Sequence, residues 1–79
     1  MDRSELLDQL ANAERNVAEG KRHLARQRDV LEVLRSGRRD TRDAEALLAD
    51  FESVQTSSLG ERDRLRCQLE SLSQDGPNT

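Results

Sequence analysis

The groups in this chain that are capable of covalent or acid–base chemistry are few, and they stand apart. There is one histidine, His23, and one cysteine, Cys67. A catalytic thiol needs a base beside it and a group that orients the base, and nothing in the local sequence of Cys67 supplies either. A metal site needs several His, Cys or carboxylate ligands converging on one point. Glu19 and His23 lie one helical turn apart, but two ligands on a single helix form no site. A metal shared between symmetric subunits is the remaining metal reading, and an air-formed disulfide between subunits is the readier chemistry for Cys67. The carboxylate pairs Asp43/Glu45 and Asp50/Glu52 fall on solvated faces, whereas general acid–base work requires a cleft that shifts their protonation. No phosphate-cradling glycine loop, GxSxG or HExxH pattern occurs. The expectation is no enzyme, no cofactor, no metal and no small-molecule substrate.

Arginine raises the one serious alternative. Arg22, Arg26, Arg35, Arg38, Arg39 and Arg42 fit a strip running to a bend, and guanidinium groups suit phosphate. An arginine-dependent RNA- or DNA-binding hairpin is the second functional reading. Against it stand a pI of 5.1, the interleaved acids Asp29, Glu32, Asp40 and Asp43, and a single aromatic residue, Phe51, for stacking on bases. Membrane binding is weaker still. One lysine and no aromatic anchor make a poor interfacial helix, and no run approaches the roughly 20 apolar residues of a membrane span.

The elements that would position these groups are helical. Of the 79 residues, 37% are charged and 33% hydrophobic, and isoleucine, tyrosine and tryptophan are absent. Ala, Leu, Glu, Arg and Gln dominate, which disfavours strands and favours long helices or coiled coil. The length allows one domain with a marginal core. Met1 to Glu5 open no apolar stretch of signal-peptide length, and a lone cysteine makes no internal disulfide. The expected location is the cytoplasm.

The expected fold is all-α: an antiparallel two-helix hairpin over residues 1–74, coiled-coil-like, with a disordered tail over 75–79. The first helix spans about 3–36. Asp2 caps it with Glu5 three residues on, as in a capping box, with Ser4 as a rival cap. Two apolar rows recur by sevens: Leu10, Val17, Leu24, Leu31, and Leu6, Ala13, Gly20, Gln27, Leu34. Gly37 follows as a left-handed C-terminal cap, and the bend occupies 37–40. The second helix spans about 41–73, capped by Asp40 or Thr41. Its apolar series is Ala44, Leu47, Leu48, Phe51, Val54, Ser58, Leu65, Leu69 and Leu72. Gln55 to Gly60 have poor helix propensity, so a kink is expected near Ser57 to Gly60.

A short bend forces the helices antiparallel. Folding at residues 38 and 39 sets Leu31 against Ala46 and Leu47, Leu24 against Val54, Gly20 against Ser57 and Ser58, and Gln27 beside Phe51. It also sets Ala13 against Leu65, Leu10 against Leu69 and Leu6 against Leu72. Charge agrees with this register. Residues 15–35 carry six basic and three acidic side chains, and residues 43–61 carry five acidic and none basic. The basic half of one helix thereby lies on the acidic half of the other. Apolar residues left over, among them Leu7, Val30, Val33 and Leu59, suggest a partner surface. A twofold homodimer forming a four-helix bundle is the simplest case, an unknown protein partner the next, and a lone hairpin the competing one.

The stretch from Ala13 to Arg28, reading AERNVAEGKRHLARQR, together with Asp40-Thr41, Glu45 to Leu48, Phe51-Glu52 and Arg62 to Leu65, resembles a group of short hypothetical proteins of rhizobia and related alpha-proteobacteria. The resemblance covers about residues 6–70. It departs at Asn16, where that group has a histidine seven residues before His23. The group has no assigned activity, so the resemblance implies a folded bacterial unit and no particular function.

Overall fold

The computed structural model describes residues 2–75, with side chains placed as far as Leu72. Helix α1 spans Arg3–Ser36 and helix α2 spans Arg42–Asp75. Among the described residues, everything except Asp2 and residues 37–41 is helical. The two helices pack along their length as a hairpin 65 Å long and 16 by 14 Å across. Asp75 belongs to α2, and the rest of the expected tail, 76–79, lies outside the described residues.

Each end of α1 has a local cause. Asp2 sits in extended backbone, and its Oδ1 accepts the Glu5 N–H at 2.8 Å, which satisfies one of the orphan donors of the first turn. At the other end the Arg38 N–H donates to the Arg35 carbonyl and the Arg39 N–H to the Leu34 carbonyl. These two bonds are the Schellman pattern. The left-handed residue that the pattern requires is Arg38, with φ 56°, and Gly37 lies at φ −83°. This corrects the expectation that Gly37 takes the left-handed role. The helix ends at Ser36 as expected, but the left-handed turn comes one residue later, with the carbonyl of the last seam residue, Leu34, closing the motif. A Cβ on Gly37 would make only ordinary contacts, so the glycine is not needed where it stands.

Thr41 precedes the first residue of α2, and its carbonyl accepts the Glu45 N–H at 2.8 Å. The side chain that meets the first free amide is that of Asp40. Its Oδ1 accepts the Arg42 N–H at 3.0 Å, and its carboxylate grips the Arg42 guanidinium at 2.8 Å. These bonds hold the Asp40 carboxyl below the ordinary aspartate range, the side-chain bond most and the backbone bond next, and they raise the Arg42 guanidinium further. Downstream, α2 continues unbroken through Ser57 to Gly60, where an irregularity is expected from the sequence. Gly60 meets open space, and packing at Gln55 and Leu65 on either side outweighs the weak local propensity.

The seam departs from the apolar reading on α2 only. On α1 the buried residues are Leu6, Ala13, Val17, Leu24, Gln27 and Leu31, with Leu10, Gly20 and Leu34 half-buried. On α2, Leu59 is half-buried beside the seam; within it Ala44, Gln55 and Leu65 are buried, and Leu48, Phe51, Ser58, Arg62 and Leu69 are half-buried. These positions form two strict heptad rows: 44, 51, 58, 65, 72 and 48, 55, 62, 69. Leu47 and Val54 lie outside both and are exposed, Val54 to 62%. Gln55, and not Val54, is therefore the residue that enters the seam here. Leu72 keeps the row but is exposed near the open end of the hairpin.

Two buried amides cross the seam in opposite directions. Gln27 Nε2 donates to the Ala44 carbonyl and Gln55 Nε2 donates to the Val17 carbonyl, each at 3.0 Å. The Gln55 Oε1 is buried without a hydrogen-bond partner and lies 1.7 Å from where a Cβ on Gly20 would be. Glycine at position 20 is thus a space requirement. It admits the Gln55 amide to the α1 backbone. Nearer the termini the seam is apolar: Leu6, Ala13 and Leu65 form a buried cluster, with Leu10 and Leu69 packed against it.

Candidate interaction surface

With two seam rows on each helix, two flanks remain, and in an antiparallel pair like flanks come together. One flank follows the 6/13/20/27/34 and 44/51/58/65 rows by one residue. It carries Leu7, Glu14, Lys21, Arg28 and Arg35 from α1, and Glu45, Glu52, Leu59 and Arg66 from α2. The cross-helix ion pairs lie here. Arg35 meets Glu45 at 3.3 Å, Arg66 meets Glu14 at 3.2 Å, and Arg28 meets Glu52 at 3.9 Å. All six side chains are about half exposed or more, so each pair stabilises by no more than about 1 kcal/mol. Together they favour this alignment of the helices over a slipped one.

The other flank precedes the 10/17/24/31 and 48/55/62/69 rows by one residue. It carries Gln9, Asn16, His23 and Val30 from α1, and Leu47, Val54, Glu61 and Gln68 from α2. One of these eight, Glu61, is an acid, and it is paired within α2 to Arg64. Val30, Leu47 and Val54 are exposed. The His23 ring stacks on Phe51 with centroids 5.6 Å apart and planes 19° from parallel. Between the helices this flank has an open groove of about 390 Å³, lined by Ala13, Asn16, Ser53, Val54, Ser57, Ser58 and Glu61. Small side chains at the middle of α2, Ser53, Ser57 and Ser58, leave this space open.

The remaining reactive and charged groups are placed as follows. Cys67 is exposed and unpaired in a disulfide. Among the described residues no group of three or more His, Cys, Asp or Glu is arranged to hold a metal ion, and no helix is long and apolar enough to cross a membrane. The arginine strip divides. Arg35 is bound to Glu45 and Arg42 to Asp40, while Arg38 and Arg39 sit exposed at the bend and form no ion pair among the described residues.

Gln55 and Arg62 are the positions that apolar periodicity misses. Counting by sevens from Leu48 reaches Gln55, Arg62 and Leu69 in turn, so the row is legible once polar residues are allowed in it. The stacking of His23 on Phe51 follows from the same register. No protein-family model matches the chain, and neither the curated proteins nor the solved structures contain a significant match to it.

Proposed function

We propose that this chain is a non-enzymatic, cytoplasmic helical hairpin that acts through protein–protein contact, in the first place by associating with its own copy. The observation that carries the reading is the contrast between the flanks: one is laced by cross-helix ion pairs, the other is nearly uncharged and leaves Val30, Leu47 and Val54 exposed. Exposed apolar residues gathered on one face mark an interaction site more often than scattered ones do. The alternative of catalysis lacks support: His23 is stacked on Phe51 and Cys67 is exposed, and Glu61, which lines the groove with Ser57 and Ser58, is paired with Arg64. Sedimentation equilibrium at micromolar concentration tests the reading. About twice the chain mass is expected, and a monomer at all concentrations refutes self-association.

A second reading, nucleic-acid binding, draws on Arg38 and Arg39 at the bend with Arg22 and Arg26 on α1, because Arg35 and Arg42 are engaged by carboxylates. It requires RNA or DNA affinity that falls steeply with salt and is lost in the double variant Arg38→Ala, Arg39→Ala. Affinity indifferent to both changes removes it.

A further inference from the structure

We propose that a second copy of this chain docks on the uncharged flank with its α2 antiparallel to the first α2, across a twofold axis at Ser57. The proposal rests on the self-association reading and adds the face, the direction and the register. Three observations converge on the same residue. Ser57 lies near the middle of the 34-residue α2, so an axis there overlaps the two hairpins along nearly their whole length. A flank of a molecule 65 Å long and 16 Å wide then offers on the order of 1,000 Å² per copy, against the roughly 800 Å² per partner of a stable interface.

The second observation is room. Ser53, Ser57 and Ser58 line the groove, and these small side chains let a second helix approach closely at the crossing point. The third is charge. Asp50 and Arg64 stand seven residues to either side of Ser57, on the outer edge of the same flank. An antiparallel copy centred there brings each Asp50 level with the Arg64 of the other copy, twice over by symmetry, where it joins the Glu61 that Arg64 already meets within its own helix. The Glu61 and Val54 side chains face each other's neighbourhood in the same way, and no row of like charges is opposed. On the opposite flank every charged side chain but Lys21 is already paired across the hairpin.

The test uses charge reversal and a cross-link, both in the full chain. Asp50→Arg is exposed and leaves the hairpin melt unchanged; it is expected to raise the dimer dissociation constant at least about tenfold. Adding Arg64→Asp is expected to restore dimerisation. In a Cys67→Ser background, Ser57→Cys is expected to give a disulfide-linked dimer on mild oxidation, and Glu52→Cys on the other flank is not. A wild-type chain that stays monomeric overturns the self-association reading and this proposal together. A wild-type dimer indifferent to Asp50→Arg, or one that cross-links through Glu52→Cys and not Ser57→Cys, overturns the face and register alone.

Discussion

The two ends of the seam hold the helices together by different means. Near the termini, Leu6, Ala13 and Leu65 exclude water with Leu10 and Leu69 against them. Toward the bend, apolar residues alternate with Gln27 and Gln55, whose amides reach the backbone of the opposite helix. The apolar layer stabilises any antiparallel alignment that buries leucines. The amide layers stabilise only the alignment that brings a carbonyl within reach, and a buried amide left unbonded costs about 1–3 kcal/mol. In a hairpin with so regular a heptad, burial supplies the strength and the glutamines select among registers.

The sharpest way to break this comparison is at its apolar end. Leu65 is the most completely buried side chain, at 2% exposure. Leu65→Ala is expected to cost about 2–5 kcal/mol, enough to abolish a cooperative thermal transition followed by circular dichroism. A melt lowered by only a few degrees would mean that the strength lies elsewhere.

The amide end is tested by a double-mutant cycle. Gly20→Ala drives a methyl into the Gln55 amide and is expected to destabilise by about 1–3 kcal/mol, the scale of overpacking a filled seam. In a Gln55→Ala background the same change is expected to be neutral or to stabilise, since alanine is the better helix former by about 1 kcal/mol. Denaturant melts of the four proteins give the coupling. Additive effects would show that Gly20 is not there to admit Gln55.

Gly60 sharpens the contrast between glycines. It faces open space in mid-helix, so Gly60→Ala is expected to raise stability by about 1 kcal/mol. A destabilised Gly60→Ala protein would reveal a contact at that position. Arg38→Gly, which relieves a left-handed arginine, is expected to stabilise by up to about 1 kcal/mol, less whatever chain entropy glycine adds to the unfolded state.

The smallest effect concerns the bend. The Asp40 carboxyl is held below its ordinary value of 3.8 by Arg42, so it is depressed in the folded state. Its contribution is fully present above the ordinary value and is lost as pH falls through the lowered one. Acid titration of stability is expected to lose that component in Asp40→Asn and to keep the rest. An unchanged acid profile would show that Asp40 and Arg42 do not influence folding.

Helix number, direction and the pairing of a basic half with an acidic half were legible in the sequence, because apolar side chains fill all of one heptad row of α1 and, with Gly20 and Gln27 as exceptions, the other. The uncertain part was α2. There Gln55 and Arg62 occupy one row, and an apolar reading slides to Leu47 and Val54, one residue and so about 100° around the helix from the true positions. Gly37 misled in the same way. Glycine is the usual left-handed cap, yet the carbonyls of Leu34 and Arg35 were better met with Arg38 in that conformation. The flank surface was legible only in outline, since which leftover side chains share a face depends on the row that Gln55 decides.

The apolar clasp lies at the end of the rod farthest from the covalent bend. Its partners, Leu6 and Leu65, are also among the most distant contacts along the chain. Closure of short loops near the bend comes first and is cheapest in entropy, so zippering starts there and the clasp snaps shut last. Interactions formed that late govern how long the closed state survives and have little bearing on how fast it forms. The leucines at the open end therefore act as a latch on lifetime.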